Sequence, residues 1–165
     1  MDKETYKHLS AEIKESLWGK KGSKYINKRG GNRKKHTKKV IELASTLCIM
    51  QNINETGQYL VELGALLHDV GKCLKSEYKN SYNEECKKKF GNGKKIKHNH
   101  KGAFIAEKIL DDLNPDIESN DKKLIVNMVL YHCGEYDDEF SNLQKDEKRL
   151  IAIVRMADKI SKVYK

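Results

Sequence analysis

Apolar residues recur every three to four positions along most of the chain, and lysine fills many of the intervals. Residues 3–17 place Tyr6, Leu9, Ile13 and Leu17 at helical spacing, which predicts a first helix. A second is predicted over 33–51, with His36, Val40, Leu43, Ala44 and Leu47 on its inner stripe. A third covers 55–70, with Val61, Gly64, Ala65 and His68 on one side. The pattern predicts a fourth over 98–113, and Pro115 behind it fits a helix stop. In the fifth, over 117–131, Leu124, Ile125, Met128 and Val129 lead to His132. The last, over 147–163, sets Ile151, Val154 and Asp158 in line. Residues 73–95 are the least regular, with room for a short helix near 83–90.

No strand alternation and no internal repeat appear, so the expected class is all-α: a single helical bundle of about six helices. Gly19, Gly22, Gly30 and Gly31 break the pattern between the first two helices. That loop carries Lys20, Lys21, Lys24, Lys28 and Arg29. It reads as a solvated connection, with a mobile flap as the alternative. Residues 1–32 are thus expected to be an N-terminal helix and basic loop packed on a domain over 33–165.

Composition narrows the class. The chain has 165 residues, 38% hydrophobic and 35% charged, which suits one domain with a modest core. Nothing approaches the roughly 18 consecutive apolar residues of a membrane span, and the first 20 residues are charged and amphipathic, without an apolar signal core. Cys48, Cys73, Cys86 and Cys133 show no paired C-x-x-C spacing and read as reduced thiols of a cytoplasmic protein. The net charge of +9 fits a lysine-rich soluble surface, or attraction of a phosphorylated small molecule or a nucleic acid.

Into the helical pattern fall His36, His68-Asp69, His98, His132 and Asp158. Taken singly each has an ordinary explanation: a satisfied core histidine, a salt-bridged acid, an exposed loop residue. Together they strain it, because burying four imidazoles and two carboxylates without partners costs several kcal/mol each, on the order of a whole domain's stability. A cation offsets that cost, and these donors suit divalent iron, manganese, zinc or nickel. Adjacent residues near a helix end point about 100° apart, so His68-Asp69 can straddle a centre. The two carboxylate oxygens of Asp69 can bridge two ions, which together clamp a phosphoryl displacement and acidify water. Lys72, one turn on, can neutralise phosphate, or is a surface lysine past a glycine stop. Gly102 lets another helix or a ligand approach closely.

The local contexts carry a resemblance. Gly64-Ala-Leu-Leu-His-Asp-Val-Gly-Lys72, His98-x-x-x-Gly102-Ala103, Tyr131-His132 and Ala157-Asp158 resemble, in order, the ligand segments of the HD-domain superfamily of metal-dependent phosphohydrolases, over roughly residues 33–163. The resemblance implies an HD-type bundle holding two divalent ions (iron, manganese, nickel, zinc or magnesium). His36, His68, Asp69 and Asp158 would hold the first ion; His98 and His132 would hold the second, with Asp69 between. Asp69 and Lys72 would be catalytic, and Arg33, His100 and Lys101 would contact substrate phosphate. His100 rivals His98 as a ligand, but His98 has the family's spacing to Gly102. The stretch Cys133-Gly-Glu-Tyr-Asp-Asp-Glu-Phe140 lacks the Gly-Tyr-Pro segment of cyclic-di-GMP phosphodiesterases, which argues against that activity. The Tyr131-His132 and Ala157-Asp158 contexts are similar to small hydrolases that split dinucleoside tetraphosphates, although the basic segment 19–35 and the residues after Asp158 depart from them. The expected function is hydrolysis of a nucleotide-like phosphoester or phosphoanhydride by metal-activated water. The alternatives are an HD-type nuclease on single-stranded nucleic acid and a non-catalytic nucleotide-binding regulatory module.

Overall fold

Short polar side chains begin several helices where an apolar stripe starts. Asp2 accepts from the backbone N–H groups of Glu4 and Thr5 at 2.9 Å, and Asn54 accepts from that of Gly57 at 2.8 Å. Each satisfies donors that a first helical turn leaves unpaired. The computed structural model describes residues 1–19, 24–28, 31–76, 79–90, 97–114 and 116–163. In chain order the helices are α1 (Lys3–Trp18), α2 (Gly31–Met50), α3 (Glu55–Leu67), α4 (Lys79–Phe90), α5 (His98–Leu113), α6 (Ser119–Tyr131), α7 (Asp138–Ser141) and α8 (Lys145–Val163), with a 3₁₀ turn at Val70–Lys72. The architecture is all-α. Among the described residues the only strand-like pairing is one isolated bridge between Ile26 and Leu74. Among the described residues no helix is long and apolar enough to cross a membrane. Lys20, Lys21, Gly22, Arg29, Gly30 and Pro115 lie outside the described residues.

α3 is the centre. Leu60, Val61, Leu63, Gly64, Ala65, Leu66 and Leu67 are all buried, so the helix is covered nearly all round rather than along one stripe. It packs against α1, α2, α6 and α8, while α5 lies on α6 and on the 3₁₀ turn. Leu9, Ile13 and Leu17 of α1 are wholly buried within the same core.

The structure differs from the periodic pattern at the start of α4, which lies at Lys79 where the pattern suggests a short helix near 83–90, at α7 and at the end of α3. Four-residue α7 is too short to show a period; Asp137 caps it by accepting from the Phe140 N–H at 3.0 Å. The pattern also carries the third helix to residue 70, but α3 ends at Leu67. His68 keeps helical angles, and Asp69 turns at φ −104°, ψ 15° into the 3₁₀ segment. The reason is contact with α5. A Cβ on Gly71 would lie 2.0 Å from the His98 carbonyl oxygen and 2.6 Å from the Gly102 nitrogen, so backbone meets backbone there. That turn aims Asp69 at the ends of α5 and α6.

Candidate metal centre

Five elements bring the donors together. His36 lies in the second turn of α2, His68 and Asp69 close α3, His98 opens α5, His132 follows α6, and Asp158 sits near the end of α8. His68, Asp69, His132 and Asp158 are buried; His36 and His98 are partly open to the surface. The imidazoles fall into two pairs: the Nε2 atoms of His36 and His68 are 3.2 Å apart, and those of His98 and His132 are 3.3 Å apart. Asp69 lies between the pairs. Its Oδ2 is 3.8 Å from His36 Nε2 and 3.7 Å from His68 Nε2, while its Oδ1 is 3.5 Å from His98 Nε2 and 3.6 Å from His132 Nε2. Asp158 Oδ1 completes the first group, 3.2 Å from His36 Nε2 and 3.8 Å from His68 Nε2.

The tautomers follow from the hydrogen bonds. His68 Nδ1 donates to the Ala65 carbonyl at 2.6 Å, and His132 Nδ1 to the Val129 carbonyl at 2.7 Å. Ser161 gives its hydroxyl proton to the Asp158 carbonyl at 2.7 Å, so its oxygen accepts from His36 Nδ1 at 3.2 Å. With Nδ1 carrying the proton, each neutral ring turns a lone pair on Nε2 toward its neighbours. Lone pairs facing one another and two carboxylates repel unless a cation lies between. Donors about 2.0–2.2 Å from one ion stand roughly 3.0–3.6 Å apart, close to the spacings above. The residues therefore fit divalent metal, and the backbone partners of the far ring nitrogens fix the orientation that ligation needs.

The field of the site suits anionic ligand atoms. Burial works against ionisation of Asp69, but His132, His68 and Lys72 outweigh it and hold its carboxyl far below the usual range. Asp158 is likewise held well below its usual value, with His36 and Lys162 overcoming burial. His132 is drawn up to about 9 because Asp69 and Cys133 outweigh burial, which would lower it. Because the Asp158 carboxyl lies below its unfolded value of 3.8, its stabilisation is complete above that pH and is lost as pH falls further. In melting curves of metal-free protein between about pH 4 and pH 2, Asp158→Asn should show a shallower acid loss of Tm than the unsubstituted chain. Equal slopes would remove Asp158 from that linkage.

Two clefts flank the centre. One, of about 730 Å³, is bordered by Arg33, Lys35, His36, Lys39, Asp69, Lys72 and Lys162. The other, of about 300 Å³, is bordered by Asn27, Lys28, Arg33, Lys72 and Lys101. Arg33 and Lys72 border both. The Lys72 ammonium meets Asp69 Oδ1 at 2.8 Å and Oδ2 at 2.9 Å. His100, two positions beyond His98 and so about 200° round the helix, borders neither cleft, and His98 is the imidazole that reaches Asp69 and His132.

Three neighbours were not singled out from the sequence. Cys133 Sγ stands 3.5 Å from His98 Nε2, and its place beside His132 was the available signal. Burial pushes its thiol up, but the His132 and His98 imidazoles outweigh that and bring it to about 6. Ser161, one turn after Asp158, had only its spacing to mark it. Asn99, buried, donates to the Leu130 carbonyl at 2.6 Å and the Cys133 carbonyl at 3.5 Å, tying the start of α5 to the end of α6; nothing in the sequence points to it.

The family model of the HD domain matches residues 33–162. Among curated proteins and solved structures, none matches the chain.

Proposed function

The chain belongs to the HD-domain family, and from that premise we propose that it is a phosphohydrolase cleaving a phosphoester or phosphoanhydride of a nucleotide-like substrate. HD domains bind divalent metals, and the family is generally one of metal-dependent hydrolases. The observation that carries the reading is the disposition of two imidazole pairs about the two oxygens of one carboxylate. In this reading His36, His68, Asp69 and Asp158 hold one ion, and His98, His132 and Asp69 a second. Bound divalent ions supply Lewis acidity, polarising phosphoryl oxygen and lowering the pKa of water.

The chain's own side chains do the rest. Arg33, Lys35, Lys39 and Lys162 present positive charge around the larger cleft, which draws in and orients a phosphorylated ligand. Lys72 keeps the Asp69 carboxylate ionised and offers its ammonium to a phosphate oxygen at the boundary of the two clefts. The Nδ1–H groups of His36, His68 and His132 keep donating to their oxygen partners, so the rings hold position during turnover. Since Arg33 borders both clefts, a substrate with more than one phosphate can meet it from either side.

Removing the guanidinium should weaken substrate capture and leave the centre intact. Arg33→Ala is expected to raise KM for a phosphorylated substrate about tenfold, the loss of one charge-assisted hydrogen bond, with metal content unchanged. An unaltered KM would take Arg33 out of the substrate site. The activity itself is tested by elemental analysis of protein purified without added metal, followed by a screen of nucleotides and single-stranded nucleic acids before and after chelation. Metal-dependent release of phosphate or nucleotide supports the proposal. Digestion of single strands with steep salt dependence would replace it with a nuclease. Tight nucleotide binding by metal-loaded protein, with no turnover of any ester, would replace it with a regulatory module.

A further inference from the structure

We propose that Cys133 is a ligand of the second ion, making that position a mixed site of two imidazoles, one carboxylate oxygen and one thiolate. The inference rests on the metal-centre reading above and extends it to a donor set that differs between the two positions. Its basis is distance. A tetrahedral ion with bonds of about 2.0–2.1 Å to nitrogen and oxygen and about 2.3 Å to sulfur sets its nitrogens roughly 3.4 Å apart and a nitrogen and sulfur roughly 3.5 Å apart. His98 Nε2 and His132 Nε2 are separated by 3.3 Å, and His98 Nε2 and Cys133 Sγ by 3.5 Å. Asp69 Oδ1 stands 3.5 and 3.6 Å from the two imidazole nitrogens. The donor atoms of His98, His132 and Cys133 all lie within 4.8 Å of one another. The first position has no such thiol; its group is His36, His68 and Asp158, with Asp69 Oδ2 beside it.

The backbone around Cys133 is held for this purpose. Gly134 takes φ +88°, a left-handed conformation that glycine adopts without penalty, and the chain reverses there. Asn99 donates to the Cys133 carbonyl at 3.5 Å, and the Arg155 guanidinium donates to the Gly134 carbonyl at 2.7 Å and the Tyr131 carbonyl at 3.3 Å. The residue is thus fastened on both sides while its sulfur faces His98. Cys48, Cys73 and Cys86 are buried elsewhere and unpaired. A thiolate makes the second position softer than the first, so it favours zinc or cobalt(II) over magnesium.

The experiment titrates metal-free protein with cobalt(II). It follows stoichiometry, the thiolate-to-cobalt charge-transfer band, and alkylation of Cys133 by iodoacetamide read by peptide mass spectrometry. The unsubstituted chain should bind two equivalents. The band should accompany the filling of the His98–His132 position, and cobalt should slow Cys133 alkylation at least tenfold. Cys133→Ser should bind one equivalent unchanged, bind the other at least tenfold more weakly and lose the band, although the other three thiols remain. Circular dichroism of that variant checks its fold. Binding of one or two equivalents without a band, a band that survives in Cys133→Ser, or alkylation unaffected by cobalt would each overturn the thiolate while leaving the hydrolase reading in place. Failure to bind cobalt at all would sink both.

Discussion

Asp69→Ala should lower kcat/KM by at least about a thousand-fold, the scale of losing a metal-centred charge-stabilising group. The same substitution should deplete both metal positions. The reason is its placement: Oδ2 faces His36 and His68 at 3.8 and 3.7 Å, and Oδ1 faces His98 and His132 at 3.5 and 3.6 Å. His98→Ala should deplete only the second position, since His98 neighbours His132 and Cys133 and not the first pair. Asp69→Asn keeps the shape but removes the negative charge that pairs with Lys72 and that ligation of a divalent ion needs; it should resemble the alanine variant in turnover. Circular dichroism should be little changed, because α3 is held by its buried leucines and not by its terminal carboxylate. Turnover within tenfold of the parent, after metal is stripped and restored, would contradict the proposed role of Asp69.

The largest expected effect on stability comes from a residue with no chemistry. Gly71→Ala would put a methyl group 2.0 Å from the His98 carbonyl oxygen and 2.6 Å from the Gly102 nitrogen. Neither atom is the far end of a flexible side chain, so helix α5 or the 3₁₀ turn must move. Overpacking of that kind costs about 3 kcal/mol or more, which corresponds to a fall in Tm of about 10 °C for a chain of this size. Displacement of the first turn of α5 also carries His98 away from Asp69, so the second metal position should weaken in parallel. Gly102→Ala is the control. Its Cβ would meet Val129 Cγ1 at 3.1 Å and the Gly71 nitrogen at 3.4 Å, tight contacts that a small adjustment can relieve, and its Tm should fall far less. Equal melting temperatures for the two variants would show that the backbone approach at Gly71 does not constrain the fold.

Much of this arrangement could be read along the chain. The stripes through Leu9, Ile13 and Leu17 and through Ile151 and Val154 correspond to buried faces of α1 and α8. Helical period is a local property, set by neighbours three and four residues apart. Donor chemistry is local in the same sense: an imidazole or carboxylate ending an apolar stripe announces a polar group bound for the interior. Short elements carry too few residues for a period, which is why α7 left no mark in the pattern.

What the sequence by itself determined is therefore the helical class and the candidate donors, His36, His68, Asp69, His98, His132 and Asp158, because side-chain type and periodic burial require no knowledge of distant neighbours. Tertiary structure alone supplied the distances, with two imidazole pairs about 3.2 and 3.3 Å apart and Asp69 within 3.8 Å of each, and placed Cys133, Asn99 and Ser161 beside them. It also ended α3 early, through backbone contact between Gly71 and α5. Those outcomes depend on contacts between helices far apart in sequence, such as Asn99 with Leu130, 31 residues on, and His36 with Ser161, 125 residues on, and a local pattern carries no record of the distance between two helix ends.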